Sequence, residues 1–292
     1  MQKTFALSLT VNPEKQAAIE IERLLKFPGF LKRDSFAKGR VEIVELRVDE
    51  RSRLCNVALS ELNRVIKCRV LVCAVLRRGD VVAPDGSFVL REGDRIFVTA
   101  STEILATLLD NLGIITKKVN HVMICGGGRV SYYLAQQLEK DGMTVRLIEK
   151  DPKHCEELAA LLPKTEIIND DASNTFVLKR ENLESCDALV TATGMDELNM
   201  IISLYGTKHG VSQVITKLGH MENGSMIDQL PIGSTIWPKD LCCNGIVRYI
   251  RAMHNQTGAA VSVHSIADGK AEAIEFHVEE KKPYCDEQLK KM

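Results

Sequence analysis

The stretch 121-HVMICGGGRVSYYLAQQLEKDGMTVRLIEKD-151 decides the fold. Five mostly apolar residues run into three glycines. An amphipathic segment follows, and a second apolar run, Thr144 to Lys150, carries the acid Glu149 near its end. Strand, glycine turn, helix, strand and terminal acid is the order in which a chain begins to hold a nucleotide. The bare backbones of Gly126 and Gly128 let a pyrophosphate approach a helix N-terminus, where unpaired N–H groups and the helix dipole favour negative charge. Ser131 stands where the third glycine of that fingerprint is usual. Glu149 follows Gly126 by 23 residues, at the strand end where an acid takes ribose hydroxyls. Its charge disfavours a 2′-phosphate, which favours NAD over NADP, and it serves the ribose of ATP or ADP equally well.

Downstream, strands and helices alternate. TEIIND (165–170), DALVTATG (187–194) and QVITKLG (213–219) read as strands, with helices starting near Arg129, Pro152, Asn174, Asp196 and Ser225. Such alternation gives βαβ units with right-handed crossovers and a parallel sheet. The expected class is therefore α/β, with a Rossmann-like lobe over 121–255. Asp170 and Asp171 close the third strand, at the crevice where an adenine lies in an open parallel sheet. Thr191, Thr193 and Gly194 close the fourth and present hydroxyls and bare backbone to phosphate or ribose. Lys217, at the end of the fifth, is placed to neutralise a phosphate.

The 120 residues ahead of this lobe are explained by an internal repeat. Gly39 to Leu62 lies on Gly269 to Met292 without a gap at an offset of 230, with Gly39/Gly269, Glu42/Glu272, Glu45/Glu275, Val48/Val278 and Cys55/Cys285 identical. TVNPEKQAAIEIERLL, from Thr10, matches TIWPKDLCCNGIVRYI, from Thr235, at an offset of 225. A period this long exceeds the ~20–50 residues of solenoid repeats and marks duplication of a whole two-lobed module. Each copy is expected to be partial. Residues 1–35 read as the last strand and crossover helix of a first nucleotide lobe, 36–113 as a small α+β lobe, 114–120 as a linker, 121–255 as the second nucleotide lobe and 256–292 as the start of a second small lobe. In the small lobe VEIVELRV, RVLVCAVLRRG and DRIFVTA predict a sheet, and TEILATLLDNLG predicts a helix capped by Ser101 or Thr102 and ended by Gly113.

With 292 residues, 45% apolar and 26% charged, the chain can bury real cores, and its formal net charge of −1 offers nothing to attract a nucleic acid polymer. The first residues lack the apolar core of a signal peptide, and the longest apolar run, Val70 to Leu76, is far short of the ~20 residues that span a bilayer. A cytoplasmic protein without membrane insertion is expected. Nine cysteines without a C-x-x-C pair read as small buried hydrophobes, and seven histidines without metal-binding spacing give no metal site. Hydride transfer needs an acid or base converging on a nicotinamide, and the lobes offer only His264. An NAD-dependent oxidoreductase with a small substrate lobe is the alternative reading, and no catalytic residue is assigned.

The run from Cys125 to Leu204 resembles the nucleotide half of RCK/KTN domains, regulators of potassium conductance. VNPEKQAAIEIERLLKFPG, GRVEIVELRVDE and VAPDGSFVLREGDRIFVTA resemble the regulatory subunits of Trk-type potassium uptake systems, which carry two such units. The resemblance implies Gly126, Gly128 and Arg129 at the diphosphate, Glu149 at the ribose and Asp171 with Ala172 at the adenine, with Val130 and Lys150 also among the cofactor-binding residues. It implies Thr193, Gly194 and Lys217 at the distal phosphates or second ribose. It further implies NAD(H), or ATP and ADP in the same site, a membrane potassium channel subunit of the TrkH/KtrB kind as partner, homo-oligomers through RCK pairing, and a place at the inner face of the membrane. Asp170 replaces a usual glycine, which predicts a tighter or more negative adenine end. The helices Pro13 to Gly29 and Pro238 to Asn255 are expected to pack on another unit rather than on their own lobe.

Overall fold

A computed structural model of the protein describes residues 10–26, 30, 32–36, 40–50, 52–113, 118–219, 227, 230–254, 260–267 and 269–276. The chain opens with helix α1 (Pro13–Lys26) and continues into an α+β lobe of β1 (Lys32–Phe36), β2 (Val41–Arg47), α2 (Leu62–Ile66), β3 (Leu71–Arg77), β4 (Asp80–Val82), β5 (Arg95–Ala100) and α3 (Thr102–Leu112). The five strands form an antiparallel sheet in the order β1-β2-β5-β3-β4. The sheet thus takes in residues ahead of 36. One face is apolar because Val44, Leu46, Val72, Ile96 and Val98 stand on it, and it buries against Leu105, Leu108 and Leu109 of α3. Asp94 is buried beside this sheet and is held by a forked Arg77 guanidinium at 2.7 Å through both Nε and Nη2, and by the Arg91 N–H at 2.8 Å. Gly113 ends α3 in the left-handed region at φ 72°, as the sequence predicts. The start of α3 differs. Ser101 adopts the capping backbone conformation but makes no capping hydrogen bond, and the Thr102 hydroxyl donates to Glu42 Oε1 at 3.1 Å instead.

The second lobe runs β6 (His121–Cys125), α4 (Arg129–Lys140), β7 (Thr144–Glu149), α5 (Pro152–Leu161), β8 (Glu166–Asn169), α6 (Thr175–Arg180), β9 (Ala188–Thr191), α7 (Asp196–Lys208), β10 (Gln213–Lys217), β11 (Ser234–Ile236) and α8 (Pro238–His254). Its six strands are all parallel in the order β8-β7-β6-β9-β10-β11. The order reverses between β6 and β9, so the crevice at the carboxyl ends of those strands is where a doubly wound sheet takes its ligand. Apolar layers cover both faces: Leu134, Ala135 and Leu138 of α4 on one, Val177, Leu178 and Ile202 on the other. The helix expected near Ser225 lies outside the described residues, apart from Ile227. No described helix is long and apolar enough to cross a membrane.

The repeat is visible as strand register. β12 (Ala260–Ile266) pairs with β13 (Ala271–Phe276), and the pairs Ser262/Glu275 through Ile266/Ala271 are those of Lys32/Glu45 through Phe36/Val41, shifted by the same offset of 230 that aligns the sequences. The two copies also touch: Ile266, Ala267, Ala271 and Ala273 cover Phe36, Ile43, Ala74, Leu76 and Phe97 on the outer face of the small lobe.

Helix α1, which the sequence repeat assigns to the first copy, packs on α4 and the parallel sheet. Ala17, Ala18, Ile21, Leu24 and Leu25 are buried in one cluster with Val130, Leu134 and Leu138 of α4. The two alanines let the helix backbones approach closely. The Leu24 carbonyl in the last turn of α1 accepts from the buried Gln213 Nε2 at 2.7 Å, which satisfies a group left without a partner inside its own helix. The α8 helix touches α1 and β12. Leu241 joins the same cluster, while Ile246 and Ile250 are exposed.

Candidate functional site

The site is built at the end of β6. Gly126 sits at φ +99°, and a Cβ there would lie 2.8 Å from Thr193 Cα and 2.9 Å from Ala192 O. Only glycine allows the turn to close against the end of β9, which brings the two strand ends of the crevice into backbone contact. A Cβ on Gly127 would lie 2.7 Å from Leu158 Cδ1 and 2.9 Å from Glu149 Oε2. Gly128 is the N-cap of α4, with open space where its Cβ would be and no side-chain cap. Asp151 and Asn174, by contrast, cap α5 and α6 with their own carboxylate and amide. The first N–H groups of α4 are therefore left for an external acceptor.

Glu149 ties the turn to the second strand. Its Oε2 accepts from the Gly127 N–H at 2.7 Å and its Oε1 from the Asp151 N–H at 2.9 Å. The acid predicted for a ribose thus also holds the glycine turn in shape. His154, on the first turn of α5, bridges the Gly127 carbonyl at 2.8 Å and Glu157 Oε2 at 3.2 Å. Both partners are acceptors, so the doubly protonated ring is favoured; the Gly127 carbonyl, then Glu157, hold its pKa above the ordinary histidine value. Cys155 Sγ lies 3.2 Å from the Glu149 carbonyl.

Beyond the end of β8, Asp171 Oδ1 accepts from the Ser173 N–H at 2.8 Å, and this bond holds its carboxyl below the usual range. Lys150 is exposed, and its charge acts on Asp171. Ala172 is buried among Met123, Ile148 and Val177. Asp170 is held by the Arg180 guanidinium at 2.9 Å, so the added negative charge expected here is balanced from within α6.

At the other end, Asn199 on α7 is fully buried. It accepts from the Thr193 N–H at 2.9 Å and hydroxyl at 2.7 Å, and donates to the Lys217 carbonyl at 3.0 Å. The Lys217 ammonium donates to the Thr193 carbonyl at 2.7 Å. Burial lowers the Lys217 pKa, against the opposing charge of Asp196, whose Oδ2 accepts from the Gly219 N–H at 2.8 Å. Gly194 is exposed beside this group.

The crevice therefore carries Gly126 and Gly128 at its centre, Glu149 and Asp171 on the β7–β8 side, and Thr193 and Lys217 on the β9–β10 side. Val130 differs, because its side chain is in the core under α4 and only its backbone can serve a ligand. Arg129 is exposed and pairs with Glu14 of α1 at 3.5 Å. Sequence reasoning missed Asn199, His154, Asp196 and Glu14; of these only Asp196, an acid opening a helix beside the TATG strand end, carried a local signal. The backbone of His264, in β12, pairs with Ala273 of β13, in the two-stranded sheet apart from the crevice strands. The cysteines follow the buried reading in part: Cys125, Cys155, Cys186 and Cys242 are buried, and burial pushes the Cys125 thiol up to about 12, while Cys243 is exposed.

Comparison with known proteins adds names to this geometry. The TrkA-C domain family matches residues 43–113 and the TrkA-N domain family matches residues 122–238. The Trk system potassium uptake protein TrkA of Haemophilus influenzae is 31% identical over 269 residues, covering 91% of this chain and 57% of that protein. The TrkA homolog of Archaeoglobus fulgidus is 29% identical over 256 residues, covering 88% of this chain and 58% of its own length. The chain thus spans somewhat over half the length of these relatives. The GsuK RCK domain superposes with a TM-score of 0.61 at 16% identity, over 89% of this chain and 56% of its own. The GsuK channel bound to NAD gives 0.57 at 16% identity, over 86% and 45%.

Proposed function

We propose that this chain, which carries a TrkA-C domain followed by a TrkA-N domain, is the nucleotide-sensing part of a cytosolic regulatory subunit that gates a membrane potassium channel or transporter. The observation that carries the reading is the uncapped N-terminus of α4 at the switch point of the parallel sheet, flanked by Glu149 on one side and the Thr193–Lys217 pair on the other. The residues fit a nucleotide. Gly128 and the first N–H groups of α4 would take the diphosphate, Glu149 a ribose, the Asp171–Ala172 turn an adenine, and Lys217 with Thr193 the distal phosphates or second ribose. NAD(H) suits this set, with ATP or ADP in the same cleft, and a solved channel of the same fold is described as bound to NAD.

Regulation, not catalysis, suits the far end of the cleft. Asn199 and a backbone carbonyl position Thr193 and Lys217 there as groups that contact a ligand rather than react with it. A ligand acts on such a protein by binding one arrangement of its paired modules more tightly than another. The packing of α1 from one copy on α4 of the other couples the modules within a chain, and the exposed Ile246 and Ile250 of α8 offer a face for pairing chains into an oligomer at the inner face of the membrane, beside a TrkH/KtrB-like channel subunit. Titration calorimetry with NADH and with ATP tests the reading, with one site expected because the described residues hold one glycine turn at a strand end. Reproducible NADH turnover with candidate metabolites would overturn it in favour of an oxidoreductase.

A further inference from the structure

We propose that Glu14, a residue of the first repeat, competes with the nucleotide for Arg129 and so both lowers the affinity of the cleft and reports its occupancy to the first repeat. This rests on the nucleotide reading above. Arg129 is the first residue of α4, its guanidinium pairs with Glu14 at 3.5 Å, and its side chain is 80% exposed against 32% for Glu14. The other end of α1 is fixed on the same helix: Lys26 pairs with Asp141 at 2.9 Å. Glu14 to Lys26 and Arg129 to Asp141 are both spans of twelve residues, so α1 and α4 run parallel and in register, with Ala17, Ala18, Ile21, Leu24 and Leu25 packed between the two ion pairs.

This arrangement fixes where Glu14 can be. Packing holds α1 on α4, so the carboxylate stays beside the N-terminus of α4, the positive end of that helix. An incoming diphosphate seeks the same N–H groups and the same guanidinium. The planar fork of one arginine matches one carboxylate or one phosphate face at a time. The Glu14 pair is long and exposed, and such pairs are weak enough to be exchanged for a better partner. When Arg129 turns to the ligand, the first turn of α1 loses its tie to α4 while the Lys26 end keeps its own. Because linkage is reciprocal, a contact that ligand binding breaks must weaken ligand binding by the same factor.

The test uses the whole chain as wild type, Glu14→Gln, Arg129→Gln and the double variant, titrated with NADH and with ATP at low and moderate salt. Glu14→Gln should tighten binding by about two- to fivefold, the worth of an exposed ion pair, with the gain shrinking as salt rises. Arg129→Gln should weaken binding, and in that background Glu14→Gln should change little. Hydrogen exchange supplies a readout independent of affinity: NADH should speed exchange in residues 15–18 of the wild type but not of Glu14→Gln. Unchanged or weaker binding by Glu14→Gln, or an effect that persists without Arg129, overturns the role of Glu14 and leaves the nucleotide reading standing. Failure of the wild type to bind either nucleotide overturns both.

Discussion

Replacing Ile21 with alanine tests whether the first repeat is built into the second. Ile21 is fully buried, and its neighbours in the cluster are α4 and the parallel sheet, which lie about a hundred residues away in sequence. The substitution removes three carbon groups, worth ~0.8 kcal/mol each in transfer alone, or about 2.4 kcal/mol. The unfilled space adds a cavity contribution, which places the loss at about 2–5 kcal/mol. The assay is urea unfolding followed by the fluorescence of Trp237, the sole tryptophan, which is partly buried at the start of α8. Its signal reports the nucleotide lobe and not the small lobe. Ile250→Ala is the control, because that side chain is 48% exposed and should cost under ~0.5 kcal/mol. The expected result is a clear fall in the Trp237 midpoint for Ile21→Ala alone. Equal, small shifts for the two variants would refute the packing of α1 on the second lobe.

Much of the nucleotide lobe was legible because its signals are local. Apolar runs, the glycine turn and helix starts at Arg129, Pro152 and Asp196 all fall within short windows of sequence. Glu149 was legible as an acid at a strand end, but its bond to the Gly127 N–H was not, since nothing in sequence says which way a carboxylate turns once the sheet brings it beside the turn. Asn199 was invisible for a related reason. It joins Thr193 to Lys217 across two strands, and an asparagine in an apolar helix reads as a surface residue until the sheet is assembled. The strand Lys32–Phe36 was missed because KRDSF has no alternation of apolar and polar residues; it is a strand because β2 offers it an edge. Asp170 was read as added charge because its partner Arg180 is ten residues on, brought round by the turn into α6. The offset of 230 read from the sequences recurs in the register of β12 on β13, although neither β1 nor β12 was legible as a strand.

Three further outcomes are expected. Glu149→Ala should weaken NADH and ATP together by about 1–3 kcal/mol in calorimetry, since both need the glycine turn that its carboxylate holds; unchanged affinities would show that neither the acid nor its hold on the turn serves binding. Arg77→Ala should strand the buried Asp94 carboxylate and destabilise the small lobe by about 3 kcal/mol, read as faster proteolysis within residues 41–112, while the Trp237 signal stays in place. The last concerns pH. His154 has its pKa raised by the Gly127 carbonyl first and Glu157 second, with Glu149 adding its charge and desolvation opposing. A group whose folded pKa lies above its unfolded value, about 6.5 for histidine, binds its proton more tightly when folded. Its stabilisation is therefore fully present below about pH 6.5 and is lost as pH rises through the raised folded value. Comparing wild type with His154→Gln cancels the carboxylates that titrate in both. The wild type should be the more stable at pH 5.5 to 6, and the difference should shrink as the pH is raised past the folded value. A difference that grows with pH, or does not change, would show that the imidazolium does not hold the glycine turn.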